Sequence, residues 1–264
     1  MKAAANFHLN GAGLQFNNVF SRVWDYSFGS IFQRQTDRIK MSRLRKGSRV
    51  WRDEEMTAAA RVLVACSGTV FSIEPGALFK RAAPLEIEVG AGRGDFILAR
   101  AAAIPERNFL AVELAGTIAQ LMAVRAGRSG LENLKIVRMD ARTLVNLMLP
   151  VASVDAFHIY FPDPWPKERH IKHRLFTPWF VASLKRKLRP DAPLFVATDV
   201  AEYARDIFAM LDESGFVRTE MAVPGAEETG FARRFRAIGK PIYAGAFVGR
   251  HVGSSEAFTC QQIS

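Results

Sequence analysis

The sequence predicts an α/β domain built on a mostly parallel sheet with helices on both faces. Three observations carry that prediction: short apolar runs recur from residue 85 onward, helical stretches separate the earlier ones, and a glycine-rich turn follows the first run. Strands separated by helices imply right-handed crossovers, which lay the strands parallel. In such a doubly wound sheet ligands bind beyond the carboxyl ends of the strands. The chemistry is therefore expected in the residues that follow each strand.

Taken in order, the apolar runs are LEIEV (85–89), FLAVE (109–113), LKIVRM (134–139), VDAFHIYF (154–161), PLFVATD (193–199), FVRTEMA (216–222) and PIYAGAFV (241–248), a sheet of seven strands. The intervening helices are DFILARAAA, AGTIAQLMAVRAGRSG with Gly130 as its C-cap, LFTPWFVASLKRKL, and AEYARDIFAMLDESG closed by Gly215. A further helix, DEEMTAAARVLVA (53–65), is expected to precede the first strand.

At 264 residues and 49% apolar content the chain can bury one good core. The expected division is a basic N-terminal extension over 1–52 that need not be ordered, one main domain over 53–248, and a loose tail over 249–264. Two cysteines, Cys66 and Cys260, make no disulfide framework, and five scattered histidines without ligand spacing offer no metal site. With no run of eighteen apolar residues and no secretory leader, the reading is a soluble protein of the reducing cytoplasm. Of the net charge of +10, residues 1–52 contribute +8, with ten Lys/Arg against Asp25 and Asp37. Such an arm suits a polyanionic partner, although a solvated tail would carry the same charge. Phe16, Phe20, Trp24, Phe28 and Phe32 recur at four-residue spacing, which suits a helix face packed on the domain, or an ill-ordered extension, better than a helix lying on a membrane.

The stretch LEIEVGAGRGDF places Gly90, Gly92 and Gly94 at a strand-to-helix turn, where glycine permits unusual dihedrals and close approach of a ligand to the backbone. Any nucleotide-binding α/β protein could show this turn. Its acids are more informative. Glu88 in the strand and Asp95 at the helix start would repel a dinucleotide's pyrophosphate, which needs a bare helix N-terminus. They suit a ligand carrying ammonium and sulfonium charge. Glu113, about twenty residues beyond the turn, can accept from ribose hydroxyls, and Asp140 after the third strand from an adenine amine. The set favours S-adenosylmethionine over NAD(P).

After the fourth strand comes FPDPWPKERH (161–170), in which the prolines fix φ and lower the entropy of ordering Asp163 and Trp165. Lys167, Arg169, His170, Lys172, His173 and Arg174 follow within eight residues. Lys and Arg position a nucleic-acid backbone, and Trp165 offers a face to a base.

P-D-P-W-P-K-x-R-H-x-K-x-R behind a G-x-G-x-G turn resembles the bacterial tRNA (guanine-N7)-methyltransferases over about residues 84–248. The resemblance implies a Rossmann-like class I S-adenosylmethionine-dependent methyltransferase that makes 7-methylguanosine in the tRNA variable loop. By it, Glu88, Glu113 and Asp140 contact the cofactor together with Gly90, Gly92 and Gly94, and Asp163 serves the active site at the methyl. Lys167, Asp199, Thr229 and Phe231 would serve the tRNA substrate, with Arg169, Lys172 and Arg174 gripping its backbone. One departure stands out: the family's T-x-F-E element reads Thr229-Gly230-Phe231-Ala232, so an alanine replaces the glutamate. Either Glu227 or Glu228 takes over, or guanine recognition is weakened. The alternatives that follow are a methyltransferase for another RNA or a small molecule, and a weakly active tRNA-binding protein retaining the fold. The oligomeric state is left open by the sequence.

Overall fold

The computed structural model describes residues 51–64, 72–225 and 229–250, all within the unit Trp51–Ser264. The expectations for the extension up to residue 50, for the tail from 251, and for Glu227 and Glu228 lie outside the described residues. The sheet has eight strands, in the order β1-β4-β3-β2-β5-β6-β8-β7. They are β1 (Leu63–Val64), β2 (Leu85–Val89), β3 (Asn108–Glu113), β4 (Leu134–Arg138), β5 (Ala156–Tyr160), β6 (Pro193–Thr198), β7 (Phe216–Thr219) and β8 (Tyr243–Gly249). All neighbours are parallel except β8, which runs antiparallel between β6 and β7.

Among the described residues six α-helices of eight or more residues accompany the sheet: α1 (Asp53–Ala60), α2 (Asp95–Ala103), α3 (Gly116–Arg128), α4 (Pro178–Lys187), α5 (Ala201–Glu213) and α6 (Gly230–Ala237). Side chains alternate across a strand, so each central strand feeds two cores. Leu110 and Val112 of β3 join α4 and α5 through Leu184 and Ile207, whereas Phe109 and Ala111 join α1, α2 and α3 through Ala59, Ile97 and Met122. Leu110, Leu184 and Ile207 are fully buried, and truncating such a side chain to alanine costs about 2–5 kcal/mol.

The structure corrects the sequence reading at three places. The sheet has eight strands rather than seven, because the expected helix 53–65 stops at Ala60 and its end becomes β1. There the Val62 carbonyl accepts from the Ile136 amide (2.8 Å), which draws the chain onto the edge of β4. The strand read as 216–222 ends at Thr219. Helix α6 was not foreseen; it starts where the Thr229 hydroxyl accepts from the Ala232 amide (3.0 Å), a side-chain N-cap.

Strand order places the switch point between β2 and β5, since β3 and β4 lie to one side and β6 to the other. The glycine turn follows β2 and the proline-rich loop follows β5, so both emerge into the same crevice.

Candidate active site

Every residue of β2 is buried, including both glutamates. Glu88 is 4% exposed and its Oε2 has no hydrogen-bond partner among the described residues. Burial pushes its carboxyl well above the usual carboxylate range, reinforced by the charges of Asp95 and Glu113 and opposed by a hydrogen bond from the Ile97 amide in the first turn of α2. A buried acid with an idle oxygen is a receptor for a cationic or donor group.

The glycine turn is fixed from below. The amides of Gly90 and Ala91 both donate to the Val112 carbonyl (2.9 and 3.0 Å). Gly94 sits at φ 75, and a Cβ there would lie 2.7 Å from the Met122 side chain, so the left-handed turn and its packing on α3 both require glycine. Glu113, at the end of β3, accepts from the Gly92 amide through Oε2 (2.9 Å) and from the Ala115 amide through Oε1 (2.8 Å). Its carboxylate thus clasps the turn, and each oxygen keeps a second lone pair. Asp140 accepts from the Arg142 amide through Oδ1 (2.7 Å), capping the helical turn that follows β4.

A cavity of about 340 Å³ opens beyond the ends of β2 and β5, and Glu113 and Asp140 lie outside its lining. Its walls are Glu88, the turn Gly90–Arg93, Asp95 and Phe96 on one side, and Tyr160, Phe161, Thr229, Gly230 and Phe231 on the other. Tyr160 and Phe161 are contributions that sequence reading missed, since both lie inside an unbroken apolar run. Asp95 departs from expectation in its electrostatics. Its Oδ1 receives Arg125 (2.8 Å) and its Oδ2 receives Arg233 (3.3 Å), so it is a paired carboxylate, and the idle acid in the cavity is Glu88. Asp95 Oδ2 also comes within 2.6 Å of where a Cβ on Gly230 would stand, so a side chain there would displace the Asp95 carboxylate.

The loop after β5 leaves the sheet under strain. Phe161 (φ 51) and Trp165 (φ 40) occupy the left-handed region that non-glycine residues avoid, at about 1–3 kcal/mol each. The Phe161 amide still reaches the Ala197 carbonyl (2.7 Å), and the Arg174 Nε donates to the Pro164 carbonyl (2.8 Å). Between them Asp163 is exposed. Trp165 packs against His170 and His173, with ring centroids 5.5 and 5.3 Å away.

Lys167, Arg169 and Lys172 are exposed, on or beside the 3₁₀ turn Glu168–His173. Arg174 differs from them in its contacts. Its side chain is 18% exposed and its guanidinium is bonded to the Pro164 carbonyl and to Asp206. Asp199, just past β6, is ion-paired with Lys240. Thr229 is buried as the N-cap of α6, while Phe231 is 56% exposed and clusters with Phe161 and Phe235 (centroids 6.2 and 6.1 Å). Ala232 is fully buried.

The residues present fit S-adenosylmethionine: Glu88 offers an unpartnered buried oxygen to a cationic or donor group, and Glu113 and Asp140 stand at successive strand ends with accepting capacity to spare. Among the described residues no cluster of three or more His, Cys, Asp or Glu could hold a metal, and no helix is long and apolar enough to cross a membrane.

The family described as "Putative methyltransferase" matches residues 82–244. The chain is 35% identical over 173 residues to a tRNA (guanine-N(7)-)-methyltransferase of Syntrophotalea carbinolica, covering 63% of this chain and 75% of that one. It is 39% identical to its counterpart in Leifsonia xyli (63% and 77% covered) and 41% identical to that of Nitrosococcus oceani (53% and 60% covered). Against the solved structure of the 16S rRNA methyltransferase KamB, the TM-score is 0.48 at 19% identity, covering 66% of this chain and 90% of that one. The fold assignment rests on this chain's own strand order, and the sequence relationship settles the rest: the chain belongs to the tRNA (guanine-N(7)-)-methyltransferase family.

Proposed function

We propose that this protein transfers a methyl group from S-adenosylmethionine to N7 of a guanine in tRNA, in the cytoplasm. The observation that carries the reading is the cavity at the β2/β5 switch point, which holds Glu88 and is walled by Phe161, the strained residue two before Asp163. When bound, S-adenosylmethionine supplies an electrophilic methyl: the N7 lone pair forms the new C–N bond as the C–S bond breaks, its electron pair remaining on sulfur.

N7 has no proton to lose, so no general base is needed and catalysis is positioning and electrostatics. Positive charge develops on the purine during transfer, and Asp163, held beside the ring by its prolines, stabilises that charge more in the transition state than in the ground state. Glu88, Glu113 and Asp140 hold the cofactor with the Gly90–Gly94 turn. Lys167, Arg169 and Lys172, all exposed, contact phosphates, and the Phe231 cluster offers a stacking surface at the cavity mouth. Asp199 serves the base edge once Lys240 yields it.

Incubating unmodified tRNA with S-adenosylmethionine and digesting it to nucleosides should yield 7-methylguanosine by mass spectrometry. Methylation at another atom, or none, would overturn the reading. One observation favours a second reading, a tRNA-binding protein with weak turnover: Ala232 is fully buried and supplies no acceptor for the guanine edge. Cofactor and tRNA binding without turnover would favour it.

A further inference from the structure

Arg174 ends a run of cations that faces solvent, yet its own side chain turns inward. We propose that Arg174 is a positioning residue, bracing the turn that carries Asp163 against helix α5; this rests on the methyltransferase reading above. Its Nε donates to the Pro164 carbonyl (2.8 Å), the residue after Asp163. Its Nη1 donates to Asp206 Oδ2 (2.9 Å), and the guanidinium carbon lies 4.7 Å from the centre of the Tyr203 ring. Tyr203 and Asp206 are three residues apart on α5, hence neighbours on one helical face. One planar group thus ties the loop to a rigid helix through two directed hydrogen bonds and a stacked face, a combination that lysine cannot reproduce.

The loop needs an outside hold. Pro162, Pro164 and Pro166 have no amide proton, so the segment has few donors with which to secure itself, and what remains to be gripped is its carbonyls. Phe161 and Trp165 are strained on either side of Asp163, and a strained backbone persists only when its surroundings over-determine it. A second guanidinium completes the brace. Arg142 Nη2 donates to the carbonyls of His173 (2.9 Å) and Arg174 (2.7 Å), while the Arg142 amide donates to Asp140. The strand end that carries Asp140 and the turn that carries Asp163 are thereby connected through two arginines.

A positioning role and a phosphate contact predict different kinetics. If Arg174 positions Asp163, Arg174→Ala lowers kcat for tRNA methylation by about 10- to 100-fold. The tRNA Kd and its salt dependence stay within about 2-fold of wild type, and Arg174→Lys recovers only part of the loss. If Arg174 instead gripped phosphate, Arg174→Ala would weaken tRNA binding and flatten the plot of log K against log salt by about 0.7–0.9, as Lys172→Ala should, with kcat intact. That result overturns the proposal. Should Arg174→Ala fail to fold, Asp206→Asn removes one anchor at a half-exposed carboxylate and must still lower kcat without changing tRNA affinity; unchanged kcat overturns the proposal equally. A wild-type protein that methylates no tRNA would instead remove the functional reading, so the two failures are distinct.

Discussion

Glu86 on β2 and His158 on β5 meet inside the fold, Oε2 to Nε2 2.9 Å apart, with both side chains 1% exposed. Arg100 and Arg107 close over the same carboxylate, Arg107 Nη1 at 3.1 Å from Oε1. On its other side the His158 ring lies 2.9 Å from the Tyr160 hydroxyl, which donates to the Pro224 carbonyl (2.7 Å). A polar line thus runs from the arginines to a wall of the cavity.

That arrangement makes the fold acid-sensitive. Burial alone would raise the Glu86 carboxyl, but the hydrogen bonds from His158 and Arg100 and their charges outweigh it and hold it down to about 2. The ordinary value is 4.5, so the unfolded chain takes up the proton first. Glu86 therefore contributes stability that is fully present above 4.5 and is lost as pH falls toward about 2. Glu86→Gln should cost about 3–5 kcal/mol at neutral pH by leaving its partners uncompensated. It should also flatten the acid limb of stability in urea titrations at successive pH values. A variant with the wild-type acid limb would exclude Glu86 as its source.

Glu88 shifts the opposite way. Its carboxyl is held protonated above its ordinary range, so it disfavours the fold increasingly as pH rises above 4.5. Glu88→Gln should consequently stabilise the ligand-free protein in alkaline solution while weakening S-adenosylmethionine. A cation brought to the carboxyl lowers its pKa, so cofactor binding should release protons at pH values above the ordinary 4.5. Titration calorimetry in buffers of different ionisation enthalpy reads this directly. Equal proton release by wild type and Glu88→Gln would place the cationic group elsewhere.

Asp163 and Lys167 should separate chemistry from binding. Asp163→Asn removes the charge that stabilises the developing cation and should lower kcat by about 100- to 1,000-fold. Because the cofactor's other contacts remain, S-adenosylmethionine affinity should change far less. Lys167→Ala should leave kcat at saturating tRNA near wild type, weaken tRNA binding, and reduce the salt slope by about 0.7–0.9. Full activity in Asp163→Asn would remove it from the mechanism.

The strands and the glycine turn were legible in the sequence because their signals are local: an apolar run, then glycines where the chain must turn left-handed. Partners were not. Asp95 looks like an unpaired acid until Arg125 and Arg233, 30 and 138 residues away, are seen to close on it. Arg174 reads like its cationic neighbours because a run of Lys and Arg does not say which member turns inward. Helix α6 escaped because GFARRFRA opens on glycine and carries three arginines, leaving an N-cap at Thr229 as its main local signal. Strand β1 is two residues long and exists only by pairing with β4.

Thr229 and Ala232 decide how α6 presents Phe231. The Thr229 hydroxyl is buried and caps the helix through the Ala232 amide, so Thr229→Ala should cost about 0.5–2 kcal/mol and Thr229→Ser much less. If the cap holds Phe231 at the cavity mouth, methylation should fall in the alanine variant and return in the serine variant. Restoring the family's acid is a sterner test. Ala232 has no exposed surface, so the carboxylate of Ala232→Glu must either be buried unpaired or force α6 outward. The expected outcome is a lower Tm by thermal denaturation with no gain in kcat/KM for tRNA. A gain would mean that α6 relaxes to admit the acid into the cavity, and that the alanine limits guanine recognition in this chain.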